Sequence, residues 1–150
     1  MRILIPLEEY DYTKIAIEYG VHLATGDRWE ITGLSILDLP SIEKSIGPVP
    51  AGASHFALKQ QEKRKQDELQ LAQKIIDEFE ATCAEKKIAY KTLRLEGSPR
   101  EIIIEQSNYH DLVITGWQTS FRYGQEPDKD LQYEVISHGI CPFLLIPKYF

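Results

Sequence analysis

The sequence predicts a single α/β domain built on a buried parallel β-sheet, and three observations support this fold class. The chain has 150 residues, the usual size of one domain and enough to bury a core. Short apolar runs without alternation recur along it, as expected for strands covered on both faces. Amphipathic helical stretches separate these runs, which is typical of parallel strands joined by right-handed crossovers, with helices on both faces of the sheet.

The first half of the chain opens with a strand, a loop and a helix. The strand is predicted at residues 3–7 and the loop at residues 8–11. The helix is predicted from a stripe of apolar or small residues and ends at Gly26; the stripe consists of Ile15, Ala16, Tyr19, Gly20, Leu23 and Ala24. A second strand is predicted at residues 29–37.

A long connection and a long helix are expected next. Several residues that interrupt regular structure predict an irregular and mobile segment over residues 38–53, namely Pro40, Gly47, Pro48, Pro50 and Gly52. A helix is then predicted over residues 54–87. Its inward side is expected to carry Leu69, Ala72, Ile76, Phe79 and Cys83.

The second half continues the alternation of strands and helices. A third strand is predicted at residues 89–95. Ser98, Pro99 and Glu101 have the form of a capping box with proline at the first helical position, so a helix is predicted from there to about Asn108. A fourth strand is expected at residues 112–115, a short helix at 131–138 and a fifth strand at Phe143–Ile146.

Composition and charge argue against several classes of protein. Lys and Arg total 17 against 23 Asp and Glu, and the net charge of −6 repels a nucleic-acid backbone. The most basic run, residues 59–65, is interleaved with Gln and Glu, as on a solvated helix face. No apolar run approaches the ~20 residues of a membrane-spanning helix. The N-terminus has no signal-peptide pattern, so we expect a cytoplasmic protein.

No metal site and no catalytic residue are predicted. The four histidines, at positions 22, 55, 110 and 138, lack the close spacing of metal ligands. Cys83 and Cys141 have neither the density nor the spacing of a disulfide framework or a zinc site, so both are expected to be reduced and structural. No serine lies in a Gly-x-Ser-x-Gly turn, and nucleophilic catalysis has no support.

Any binding site is expected in the loops after Leu7, Leu37 and Thr115. In open parallel sheets, ligands bind at the carboxyl ends of strands where the strand order reverses. Two of these loops are rich in aromatic residues, namely Tyr10, Tyr12, Trp117, Phe121 and Tyr123. Such rings either stack on a flat ligand or cover a partner, or they simply fill an empty cleft.

Four segments together resemble the universal stress protein family. Residues 3–8, Ile-Leu-Ile-Pro-Leu-Glu, resemble the family's first strand followed by Pro-Val-Asp. Residues 97–99 stand where the family often has Gly-Asp-Pro, and residues 111–116 resemble its fourth strand running into a glycine. Residues 141–147 resemble its closing strand. The resemblance spans the whole chain and implies one universal stress protein domain. The implied fold is a three-layer, adenine nucleotide alpha hydrolase-like sheet of five parallel strands in the order 3-2-1-4-5.

Family members that bind ATP carry a signature of Gly, two residues, Gly, nine residues, and Gly followed by Ser or Thr. Placed without gaps, it falls on Gly116, Thr119, Lys129 and Asp130, so only the first position is kept. The glycines matter because a backbone without Cβ approaches phosphate oxygens closely. Asp130 puts a carboxylate where a hydroxyl is expected, and it repels a triphosphate. The resemblance therefore implies a member without the intact signature and without a cofactor.

If a nucleotide does bind, as ATP with Mg²⁺, the resemblance also implies its contacts. The residues concerned are Pro6, Leu7, Glu8, Ile36, Gly116, Thr119, Lys129 and Asp130. Glu8 stands where the family has an aspartate near the adenine. The competing interpretation makes Glu8 and Glu9 solvated loop residues, with Asp11 near the start of the helix.

Three functions follow as hypotheses. The leading one is a non-enzymatic homodimer with a stress-response or regulatory interaction role. The resemblance implies that Phe143–Ile146 pairs with its copy across a two-fold axis, as suits an apolar edge strand. The second is an ATP sensor or weak ATPase whose loop at residues 116–130 uses Arg122 or Lys129. The third is a binder of small molecules at the adenine end alone.

Overall fold

The fold is a five-stranded parallel sheet covered by helices on both faces. The computed structural model describes residues 1–8, 11–26, 28–116 and 129–147. Its elements are β1 (Arg2–Pro6), α1 (Asp11–Ala24), β2 (Glu30–Leu37), α2 (Leu39–Ile46), α3 (Ser54–Glu85), β3 (Ala89–Glu96), α4 (Pro99–Ser107), β4 (Leu112–Gly116), α5 (Lys129–His138) and β5 (Phe143–Ile146). The strand order is β3-β2-β1-β4-β5, and every neighbouring pair is parallel. The predicted fold class is confirmed.

Two hydrophobic cores lie on opposite faces of the sheet. Because side chains alternate along a strand, β1 contributes Ile3 and Ile5 to one core and Leu4 to the other. Helices α1 and α3 cover the first core, in which Phe79 is fully buried. Helices α4 and α5 cover the second core, where Ile103 is buried. Burial on both faces explains why the central strands β1, β2 and β4 are largely apolar in sequence.

Helix α2 is the main departure from the predicted secondary structure. The sequence predicts an irregular connection over residues 38–53, whereas eight of these residues form a helix. The carboxylate of Asp38 caps this helix, accepting hydrogen bonds from the Ser41 amide at 3.1 Å and the Ser41 hydroxyl at 2.6 Å. Pro40 lies in the first turn, where no backbone N–H donor is needed. A proline that predicts a break in regular structure here marks the start of a helix.

Two helices bury faces that differ from the predicted ones. In α1, Tyr19 is 43% exposed, and the buried residues are Tyr12, Thr13, Ala16, Ile17, Gly20, Val21 and Ala24. This helix has apolar residues on most sides, so periodicity alone does not fix its inward face. In α3 the predicted Ile76, Phe79 and Cys83 are buried, but Leu69 is 46% exposed. Only the C-terminal part of α3 therefore packs deeply on the sheet.

Helix α4 begins where predicted, but without a capping box. The Ser98 side chain makes no capping hydrogen bond. Its backbone carbonyl accepts the first helical bond from Ile102 at 3.0 Å, and Pro99 supplies a backbone already suited to the helix. None of the helices in the described ranges is long and apolar enough to cross a membrane.

His110 links α4 to the centre of the sheet. The ring is buried, and the hydrogen-bond geometry suits the neutral form. Its Nδ1 donates to the carbonyl of Gln106 at 2.8 Å, and its Nε2 accepts from the hydroxyl of Thr32 at 3.0 Å. A second proton on the ring would turn Nε2 into a donor, and the Thr32 hydroxyl would then have to accept instead of donating.

The environment of His110 lowers its pKa below the ordinary value of 6.5. Burial is the largest cause, and the positive charges of Lys91 and Arg2 act in the same direction. The hydrogen bond to Gln106 and the charge of Asp111 oppose the shift. The folded chain therefore binds this proton less strongly than the unfolded chain does.

We expect stability to fall as the pH drops below 6.5 towards the lowered pKa of His110. The contribution of neutral His110 to the free energy of unfolding is complete above pH 6.5. Below that pH it falls by at most about 1.4 kcal/mol per pH unit. Urea unfolding at a series of pH values measures it, and His110→Gln should flatten the dependence. His22, exposed on α1, provides the control, since His22→Gln leaves the buried ring in place. An equal slope in His110→Gln and the unmodified protein would contradict this assignment.

Candidate functional site

The carboxyl ends of β1 and β4 lie side by side at the point where the strand order reverses. β1 pairs with β2 on one side and with β4 on the other. This is the position at which open α/β sheets bind ligands. Two of the three loops predicted to form the site begin here, after Leu7 and Thr115, although residues 9–10 and 117–128 lie outside the described residues. We call this place the β1/β4 crevice.

The end of β1 is more buried than the sequence suggests. The Leu7 amide donates to the carbonyl of Leu34 at 2.8 Å, which continues the pairing with β2 one residue past Pro6. The Glu8 amide donates to the hydroxyl of Thr13 at 3.3 Å, so the chain turns tightly into α1. Glu8 is only 4% exposed, and its interpretation as a solvated loop residue is wrong. Its hydrogen bonds with Thr13 and Tyr12 place Glu8 beside the first turn of α1.

Tyr12 spans the β1/β4 crevice from the first turn of α1. Its hydroxyl donates to the Glu8 carboxylate at 3.5 Å. Its ring lies against the backbone of Gly116, so closely that a Cβ added to Gly116 would overlap the ring carbons. Gly116 is therefore needed because Tyr12 occupies the place of a side chain. Among the predicted aromatic residues, Tyr12 alone falls within the described ranges, and it does lie at this edge.

Gln132 of α5 holds the end of β4 from the opposite face of the sheet. Its buried amide nitrogen donates to the carbonyl of Gly116 and lies 3.4 Å from the hydroxyl of Thr115. Gln132 is not among the site residues predicted from the sequence. A polar residue three positions before the buried Val135 shares its helix face, and buried polar side chains need partners. That spacing is the signal that would have found it.

The remaining predicted site residues are not all brought to the crevice. Ile36 is 7% exposed and belongs to the hydrophobic core beneath α4, on the same edge of the sheet. Lys129 and Asp130 are the first two residues of α5, and only their backbone is described. Thr119 lies outside the described residues. The crevice as described is formed by Pro6, Leu7, Glu8, Tyr12 and Gly116.

The described part of the chain offers little reactive chemistry. Burial raises the pKa of the Cys83 thiol to about 11 and also raises the pKa of Cys141. Both are free thiols, and a thiol with a raised pKa is a weak nucleophile. Within the described ranges, no group of three or more His, Cys, Asp or Glu residues is placed to hold a metal ion. The crevice presents a buried carboxylate and a phenol.

Comparisons with known proteins converge on one fold. The model of the universal stress protein family matches residues 1–147. Among solved structures, the hypothetical protein MJ0577 has a TM-score of 0.73 and 17% identity, over 98% of this chain and 95% of that chain. The universal stress protein UspA from Lactobacillus plantarum has a TM-score of 0.65 and 17% identity, over 97% of each chain.

A third structure was solved with a ligand. It is a universal stress protein family protein from Arabidopsis thaliana with AMP bound, with a TM-score of 0.59 and 16% identity. The match covers 98% of this chain and 91% of that chain. At such identities the likeness shows the fold alone. A search of curated proteins finds no significant relative.

Proposed function

Because this chain belongs to the universal stress protein family, we propose that it is a cytoplasmic homodimer that acts through protein contacts in a stress response and binds no ATP. The observation that carries the proposal is the packing of the Tyr12 ring on Gly116. A phosphate-binding glycine leaves its backbone open to the ligand. Here the ring of Tyr12 covers the backbone of Gly116, and the side-chain amide of Gln132 donates a hydrogen bond to the Gly116 carbonyl.

Tyr12 also acts at the other end of the crevice. The family resemblance puts Glu8 beside the adenine and Gly116 beside the phosphates, and Tyr12 contacts both. The only signature glycine that the chain keeps is thus accounted for by packing. Asp130 further replaces the expected hydroxyl at the start of α5, and a carboxylate 4 Å from a phosphate charge costs ~1 kcal/mol even in water.

The edge strand β5 supports the homodimer. It is the last strand in the sheet, and Leu144 on it is 37% exposed. On α5 and the turn that follows, Tyr133, Ile136 and Ile140 are 75%, 39% and 75% exposed. Such a concentration of apolar surface beside an open strand edge is typical of an interface. Pairing of Phe143–Ile146 with its copy across a two-fold axis covers this edge.

A gain-of-binding experiment tests the role of Tyr12. Thr119→Gly, Lys129→Gly and Asp130→Ser together restore the family signature, and Tyr12→Ser opens the backbone of Gly116. In calorimetric titrations with ATP and Mg²⁺, we expect no binding by the unmodified protein or by the triple variant. The quadruple variant should bind with micromolar affinity, because only there is the phosphate site both restored and uncovered.

The exposed Tyr19 on the same helix provides the matched control. Tyr19→Ser combined with the triple variant should show no binding of ATP in the same titration. If the triple variant binds as tightly as the quadruple one, Tyr12 does not close the site. If the quadruple variant is folded by circular dichroism and still binds nothing, the contact of Tyr12 with Gly116 is not what excludes ATP, and the proposal loses its main support.

The second candidate is an adenine-nucleotide sensor or weak ATPase, with ATP and Mg²⁺. It is favoured by the retained Gly116 and by the relative solved with AMP bound. In this alternative Pro6, Leu7, Glu8 and Ile36 lie at the adenine end, and the loop at residues 116–130 holds the phosphates. Tyr12 must then turn away from Gly116. Binding of AMP by the unmodified protein, with loss of Tyr12 protection from chemical modification, would favour this function.

A further inference from the structure

A second cleft opens between α1 and α3, on the face of the sheet opposite α4 and α5. Its volume is about 170 Å³, and Glu8 is the one residue that lines both this cleft and the β1/β4 crevice as described. Its apolar lining comes from both helices, with Ile17 on α1 and Leu71 and Ile75 on α3. The cleft is therefore a separate site with walls from two helices.

Two exposed side chains of this cleft, one of each sign, make no ion pair with the part of the chain that the structure describes. Lys14 and Glu78 face each other across it at 4.0 Å. Asp11 on α1 and Lys74 on α3 also line it, yet within the described ranges neither makes an ion pair or a side-chain hydrogen bond. The carboxyl group of Glu8, which is buried, lies at the end of the cleft where α1 begins. Each helix thus contributes one acidic and one basic side chain to the cleft, together with its apolar lining.

We propose that this cleft binds a free α-amino acid with an apolar side chain, of which leucine is the probe. The ammonium group pairs with Asp11, the carboxylate pairs with Lys74, and the side chain contacts Ile17, Leu71 and Ile75. A ligand with a single charge leaves either Asp11 or Lys74 unpaired. Charge-assisted hydrogen bonds of this kind are the strong ones, and two of opposite sign select a zwitterion.

The size of the cleft fits a ligand of this class. Its volume of about 170 Å³ lies below the roughly 300–1,000 Å³ of pockets for drug-sized ligands. It is several times the roughly 30 Å³ that one water molecule occupies in the liquid. The cleft is therefore of a size for a small ligand, such as a single amino acid, rather than for a drug-sized one.

Calorimetric titration of the unmodified chain with L-leucine tests the proposal. We expect saturable binding at one site, weakened about tenfold or more by Asp11→Asn and by Lys74→Gln, because each variant removes one charged contact. Lys59→Gln is the control, because Lys59 lies on an exposed part of α3, the helix that carries Lys74. This variant should bind leucine as the unmodified protein does. Circular dichroism confirms that each variant is folded.

Two leucine analogues make the test specific. 4-Methylpentanoate lacks the ammonium group and 3-methylbutylamine lacks the carboxylate, and each should bind at least about tenfold more weakly than leucine. Absence of saturable leucine binding overturns the proposal. So does equal binding of leucine and either analogue, or unchanged leucine binding in both Asp11→Asn and Lys74→Gln. None of these outcomes depends on whether the protein binds ATP.

Discussion

Replacing Phe79 with alanine is expected to lower the free energy of unfolding by about 3–5 kcal/mol. Phe79 is fully buried and lies edge-on to Tyr90, with ring centroids 5.9 Å apart. A Cβ added to Gly33 would lie 2.7 Å from the ring, so the ring packs directly on the backbone of β2. Because Gly33 has no side chain to fill the space, alanine leaves a cavity at the centre of the core. Urea unfolding measures the loss.

Leu69→Ala is the matched control for this prediction. It removes an apolar side chain from the same helix, but Leu69 is 46% exposed, so the expected loss is well under half that of Phe79→Ala. Phe79→Leu should fall between the two. Similar losses for Phe79→Ala and Leu69→Ala would mean that α3 does not pack on the sheet as described.

Replacing Leu144 with lysine is expected to convert the proposed dimer into a monomer at micromolar concentration. Leu144 lies on the edge strand β5 and is 37% exposed in the single chain, so pairing of two β5 strands would bury it. The variant places two ammonium groups close together near the two-fold axis, where each is costly to desolvate. We expect the dimer dissociation constant to rise about 100-fold or more. Sedimentation equilibrium measures it.

Leu58→Lys provides the control, since Leu58 is 64% exposed but lies on α3. This variant should sediment as the unmodified protein does. If the unmodified protein is a monomer at micromolar concentration, the proposed homodimer is wrong. If Leu144→Lys remains a dimer, the interface lies elsewhere on the molecule.

The strands were more predictable from sequence than the orientation of the helices. The central strands β1, β2 and β4 lie where they were predicted because their residues, such as Leu4 and Ile5, are buried on both faces of the sheet. The edge strands β3 and β5 also lie at their predicted positions, although they are partly exposed. The inward face of α1 was not predictable, since apolar residues occupy several of its sides. Helix α2 depends on a local cap at Asp38, in a segment whose prolines and glycines predict a loop instead.

The position of the candidate site was predictable, but its contacts were not. The reversal of strand order and the family resemblance both indicate the ends of β1 and β4. The contact between Tyr12 and Gly116 joins residues far apart in sequence, and it exists only because α1 packs over the end of β4. The burial of Glu8 and the hydrogen bond from Gln132 likewise arise from tertiary packing. The spacing to Val135 indicates that Gln132 faces the core, but no local pattern identifies Gly116 as its partner.

The exclusion of ATP from the crevice is the central claim, and titration calorimetry of the unmodified protein with ATP and Mg²⁺ tests it most directly. Tyr12 covers Gly116, and the gapless placement of the family signature puts Thr119, Lys129 and Asp130 at its other positions. We therefore expect no saturable heat at ATP concentrations up to about 1 mM, where binding weaker than about −4 kcal/mol goes undetected. Saturable binding with micromolar affinity would contradict the claim and would identify residues 116–130 as an unconventional phosphate site.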